Sequence, residues 1–166
     1  MKRLLILLFI PTLSYSQITF EDIMNINSEK TFKRVMIENG LEFSKVDTFF
    51  IMEGITLWEN VSYGLNIKRD EENGDKSSLW GTYKRKNDEF IFQFVRNIDS
   101  PYDEIIRKIK RRCKYVDIYN RNDIDFVCYN CSESTYKGVI GFTINKGVGV
   151  IQHIIPRDGI DKLNEE

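Results

Sequence analysis

Two of the chain's three cysteines stand in "FVCYNCSEST", residues 126–135. The spacing of Cys128 and Cys131 admits a redox dithiol, half of a metal site or one side of a disulfide. A redox pair needs an exposed thiol activated by a helix N-terminus. Here alternation places both cysteines on a strand, with Phe126 and Cys128 on one face and Val127, Tyr129 and Cys131 on the other. A zinc site would have to gather Cys113, Cys128, Cys131 and the single histidine, His153. Cysteines on opposite strand faces resist that convergence unless a bulge or turn intervenes. A structural disulfide is the remaining chemistry.

In "KYVDIYN", residues 114–120, Val116 and Ile118 face away from Tyr115, Asp117 and Tyr119. Matching the apolar sets of the two strands puts Ile118 opposite Phe126, Val116 opposite Cys128 and Cys113 opposite Cys131. That register predicts a Cys113–Cys131 bond and leaves Cys128 as a buried thiol. Cys113 also continues the apolar stripe of the preceding helix, which would aim it at Cys128, the alternative partner. Either loop is short, so the bond is expected to contribute about 3 kcal/mol.

His153 sits in "VIQHIIP" among apolar neighbours, and general-base work needs a positioned partner. No GxSxG elbow, phosphate-cradling loop or dinucleotide fingerprint is present. The expectation is a protein without cofactor or metal that leans away from catalysis. A small exported hydrolase or metal-dependent enzyme, built on His153 with nearby carboxylates or thiols, is the second reading.

The compartment follows from "MKRLLILLFIPTLSYSQ". Lys2 and Arg3 give a charged start, residues 4–13 an apolar stretch, and Ser14 and Ser16 a small-residue cleavage site, the pattern of a secretory signal over residues 1–16. The apolar run is shorter than the roughly 20 residues a bilayer span needs, so no membrane span is expected after cleavage. The Lys, Asn and Ile richness and the Ser-Tyr-Ser-Gln junction resemble exported proteins of low-GC bacteria. A periplasmic or secreted location favours an oxidised cysteine pair, with the third cysteine left over. The net charge of −1 becomes more acidic once Lys2 and Arg3 are lost, which argues against a nucleic-acid partner. The basic run "RKIKRRCK", residues 107–114, reads as the solvated face of a helix. "RDEENGDK", residues 69–76, reads as a hairpin turn, since Asn-Gly supplies positive φ.

The elements that must position these residues come twice. Thr19 and Ser28 open helical stretches, the second carrying Phe32, Val35 and Met36 on one side and ending at Gly40. Strand patterns follow at 43–50, 57–67, 78–85 and 89–96. Helical spacing returns after Ser100 and Pro101, with Tyr102, Ile105, Ile106 and Ile109 in register, then strands at 114–120, 124–131, 136–145 and 148–155. The chain is therefore read as α+β: a tandem repeat of a helix plus a four-stranded antiparallel meander, with the helices packed on one sheet face. Residues 17–156 form a single domain with halves 17–98 and 99–156, and 157–166 a C-terminal tail. In outline the arrangement is similar to secreted β-lactamase-inhibitor proteins, whose tandem helix-plus-four-strand units present a sheet surface to an enzyme. That resemblance is one of architecture only and carries no sequence motif; the function expected of the chain is that of an exported, non-enzymatic binding or inhibitor-like protein.

Helices on one face leave the other for a partner. Alternation turns Leu65, Tyr83, Phe90, Phe92, Phe94, Ile140, Phe142 and Ile144 inward. It leaves Trp58, Trp80 and Lys84 in the first half, and Tyr115, Tyr119 and Tyr129 in the second, on the outer face. Aromatic and small polar residues together match the composition of binding hot spots. The expected partner is a protein or a cell-envelope component.

Overall fold

Thr19 starts the first helix by a reciprocal cap: its hydroxyl accepts from the Asp22 N–H at 3.1 Å, and the Asp22 carboxylate accepts from the Thr19 N–H at 2.9 Å. The computed structural model describes residues 17–51, 56–68, 77–86, 89–95, 100–121, 123–135 and 138–154, leaving the side chains of 49–58 outside that description. The signal segment, the 69–76 turn and the 157–166 tail lie outside the described residues.

Helix α1 spans Phe20–Met24. Ser28 and Thr31 cap α2, Glu29–Glu38, in the same reciprocal way. Helix α2 ends where Gly40 turns to φ 72° and the Leu41 N–H donates back to the Met36 carbonyl at 2.9 Å. The third helix, α3, is Tyr102–Arg112. It begins one residue later than the Ser-Pro pattern implies, with Pro101 in the cap position and the Ser100 hydroxyl accepting from the Tyr102 N–H at 3.4 Å.

The strands are β1 (Glu42–Ile51), β2 (Thr56–Leu65), β3 (Leu79–Lys84), β4 (Glu89–Val95), β5 (Lys114–Arg121), β6 (Ile124–Asn130), β7 (Val139–Asn145) and β8 (Val148–Ile154). They form one antiparallel sheet in the order β1-β2-β3-β4-β8-β7-β6-β5. Two meanders therefore meet through their last strands, Phe92 pairing with Ile151. The α+β class holds, with strands dominating.

One face carries the main core. Phe90, Phe92 and Phe94 recur at period two and are all buried. Phe32 of α2 sets its ring 5.5 Å from Tyr83 and 6.0 Å from Phe92. Tyr102 of α3 lies 5.9 Å from Phe94, and its hydroxyl donates to the Thr143 carbonyl at 2.7 Å. Its ring fills the space over Gly149, where a Cβ would stand 2.5 Å from the ring. Ile144, expected inside, is instead exposed next to that site, because it pairs with Gly149 at the turn end of the ladder. Helix α1 is tied to α3 by Glu21, which accepts from Lys108 and Arg112, both at 3.0 Å.

The other face is strongly curled. Arg121, at the end of the edge strand β5, donates to Glu89 Oε1 on β4 at 3.1 Å and forms an ion pair with Oε2 at 2.9 Å. In a flat sheet those strands, four positions apart, would be about 19 Å from each other. The curl closes the face on itself over a second apolar cluster: Phe126, Cys128, Val139 and Ile154, with Val116, Tyr119, Ile124 and Val150 against them.

Candidate functional site

Cys113 and Cys131 stand at disulfide distance, S–S 2.10 Å and Cα–Cα 4.4 Å. Cys113 has already left the helix, with φ −112° and ψ 152°, so it does not continue the stripe that would have aimed it at Cys128. The register beyond it differs from the expected one. Tyr115 pairs with Tyr129, but then Asp117, not Val116, stands opposite Cys128, and Tyr119, not Ile118, opposite Phe126. A β-bulge between Tyr115 and Asp117 absorbs the extra residue, Val116.

That bulge also splits the tyrosines expected on one surface. Tyr129 is half-buried and stacked on Phe142 at 5.7 Å, on the helix-covered side. Tyr115 sets its ring edge-on to Tyr129 at 5.7 Å and so lies on that side too. Tyr119 falls on the curled face against the second cluster. Strand β6 is correspondingly turned over: Val127 and Tyr129 face the main core while Phe126 and Cys128 face away.

Cys128 is 0% exposed, and its thiol donates to the Phe126 carbonyl at 3.5 Å. Burial pushes its pKa up to about 11, with Asp117 adding to the effect, so at neutral pH the nucleophilic thiolate is absent. His153 is also fully buried, stacked on Phe90 at 5.4 Å and therefore on the helix side of the sheet. Histidine and free thiol thus occupy opposite faces. Among the described residues, no three His, Cys, Asp or Glu side chains gather into a metal site.

The polar chemistry collects instead where the curled face is open, over β2, β3 and β4. Trp80 is half-buried, opposite Gly64 and Gln93. Thr82 stands between Ser62 and Ile91, its hydroxyl 3.2 Å from that of Ser62. Lys84, half-buried, lies between Asn60 and Glu89. Burial pulls the Lys84 pKa below its ordinary value, and the nearby Arg121 charge adds to this, while Glu89 opposes it. The backbone of Trp58 pairs with Phe49 on the neighbouring strand, and its side chain lies outside the described residues. Of the expected surface, Trp80, Lys84 and Tyr119 share this face, and Tyr115 and Tyr129 do not.

Glu89, Arg121 and Gln152 were not singled out by the sequence reading. A charged residue opening the apolar strand "EFIFQF" was a signal for Glu89; nothing local links it to Arg121, 32 residues away. Comparison with protein-family models, curated proteins and solved structures returns no match.

Proposed function

We propose that this chain is an exported, non-enzymatic binding protein, inhibitor-like in action, that engages a protein partner with the open part of its curled sheet face. The observation that carries this reading is the row Trp80, Thr82 and Lys84 with the exposed Gln93 beside it. The rest of the same face is closed over its own apolar cluster. An aromatic residue among short polar ones buries area at low entropic cost, which suits a docking surface.

Export is supported by the charged-then-apolar start of the sequence and by the Cys113–Cys131 pair. Ile18 and Phe20, just after the expected cleavage point at Ser16, belong to the main core. Among the described residues no helix is long and apolar enough to cross a membrane. We read 17–98 and 99–156 as tandem units, since each runs from helix to meander and they join through β4 and β8. The alternative of a hydrolase or metal-dependent enzyme draws no support from a buried His153 set apart from Cys128.

A photo-crosslinker at Gln93 in the producing cell is expected to capture one discrete protein adduct that a crosslinker at Ile37, exposed on α2, does not. Equal capture from both positions, or capture from neither, overturns the reading.

A further inference from the structure

We propose that the curled face seats a carboxylate side chain of the protein partner, with Lys84 and the Gln152 amide as its direct contacts and the Glu89–Arg121 pair as their frame. The inference rests on the binding reading above and names the chemistry that this face would recognise.

Glu89 is only 2% exposed; Arg121 donates to its Oε1 and forms an ion pair with its Oε2, which accepts no hydrogen bond among the described residues. The two charges cancel. Lys84 stands directly opposite Glu89 on the neighbouring strand, yet among the described residues its ammonium makes no ion pair. Lys84 is therefore a half-buried cation beside a second cation, and its nearest carboxylate, Glu89, is already paired with Arg121. A partly desolvated charge without an ion pair of its own is unfavourable in a finished fold and is a mark of binding sites.

Gln152 supplies a separate observation. It is 3% exposed, and among the described residues its Nε2 has no hydrogen-bond acceptor. Buried polar groups without partners are rare, and each calls for an explanation. Gln152 pairs with Ile91, which places it diagonally across the β4–β8 ladder from Glu89. Asn60, opposite Lys84, has a buried Oδ1 that lacks a donor. The deficits among the described residues are thus one ammonium without an ion pair, one N–H donor and two oxygen acceptors, Asn60 Oδ1 and Glu89 Oε2. A carboxylate answers the first two, taking a charge-assisted bond from Lys84 and a second from Gln152. Peptide N–H groups of the partner answer the two acceptors. A phosphate would bring a second negative charge towards the buried Glu89.

The test is an NMR titration of the ¹⁵N-labelled protein with N-acetylglutamate N-methylamide, with the corresponding glutamine compound and glucuronate as controls. The glutamate compound is expected to shift the Gln152 side-chain amide and the Lys84 ammonium saturably; the glutamine compound is not. Lys84→Met should weaken that binding about tenfold, the loss of one charge-assisted bond. Gln152→Met should also weaken it while raising Tm, because it removes a donor that the folded chain leaves unpaired. No saturable shift, equal shifts with the glutamine compound, binding of glucuronate alone, or undiminished binding by Lys84→Met each overturns the inference. The Gln93 crosslink separates the two levels. An adduct that persists undiminished in Lys84→Met leaves the binding reading standing and removes the carboxylate seat, whereas absence of any adduct from the unmodified face removes the binding reading itself.

Discussion

Arg121, on the outermost strand of one meander, grips Glu89, on the last strand of the other, through both carboxylate oxygens at 3.1 and 2.9 Å. This pair spans the curled face and holds the two halves of the sheet in one bent surface. Replacing Arg121 with Met leaves the buried Glu89 carboxyl group without its partner. The expected loss is about 3 kcal/mol, the lower end for a broken buried pair because Arg121 keeps about a quarter of its side chain exposed. The double variant Glu89→Gln with Arg121→Met should recover much of it. Urea denaturation of the three proteins measures this, and strictly additive losses would show that the pair does not act as a unit.

The cysteines give a prediction read by mass. Cys128 is fully buried with its pKa pushed up to about 11, so in the native, unreduced protein iodoacetamide is expected to add no label. Unfolding without reductant should expose one thiol, and unfolding with reductant all three. Opening the loop between Cys113 and Cys131, 18 residues apart, should lower stability by about 3 kcal/mol. Three labels without reductant would mean that the bond is absent from the exported protein.

Acid should act on the outer end of the first meander. Hydrogen bonds from Arg85 hold Glu29 well below its ordinary 4.5, at about 2, with Lys33 adding a smaller pull. A carboxylate depressed in the folded state stabilises above its unfolded pKa, and that contribution fades as pH falls from about 4.5 through 2. Because the ion pairs lie at the surface, with Glu29 and Arg85 keeping 27% and 37% of their side chains exposed, solvent screening holds the effect to about 1 kcal/mol or less. Glu29→Gln is therefore expected to be slightly less stable at pH 7 and equal to the parent at pH 2. A deficit that persists at pH 2 would assign the effect to packing.

How far the sequence revealed this arrangement depends on which faces compete. Phe90, Phe92 and Phe94 alternate with Ile91 and Gln93, and the burial of the three phenylalanines follows that alternation. In "IDFVCYN" both sets are apolar, since one meets the main core and the other the second cluster, and period two could not choose between them. The Cys113–Cys131 pairing was legible despite an incorrect register nearby, because the extra residue at Val116 shifts only the pairs beyond it. The candidate site was half legible. Trp80 and Lys84 declare themselves by alternation, whereas Gln152 and the Glu89–Arg121 pair depend on a curl that no local pattern encodes.

Lys84 ties the site to stability. Its pKa is lowered chiefly by burial and further by Arg121, against an opposing pull from Glu89, so the charged form is disfavoured in the folded protein. The native state then releases its proton before the unfolded state does, and wherever the unfolded chain holds more protons, stability rises with pH. The groups facing Lys84 are Asn60 and Glu89 on the flanking strands and Arg121 from across the curl. Lys84→Met removes the penalised charge and keeps the aliphatic stem. The variant is expected to be more stable than the parent at pH 7, with the gap closing as pH climbs towards the ordinary lysine value of 10.5. Denaturation curves at pH 7 and pH 10 decide it. A gap of constant size would show that hydrophobic burial of the methionine, not relief of an unpaired charge, separates the two proteins, and would take away the main electrostatic reason for a counter-ion on this face.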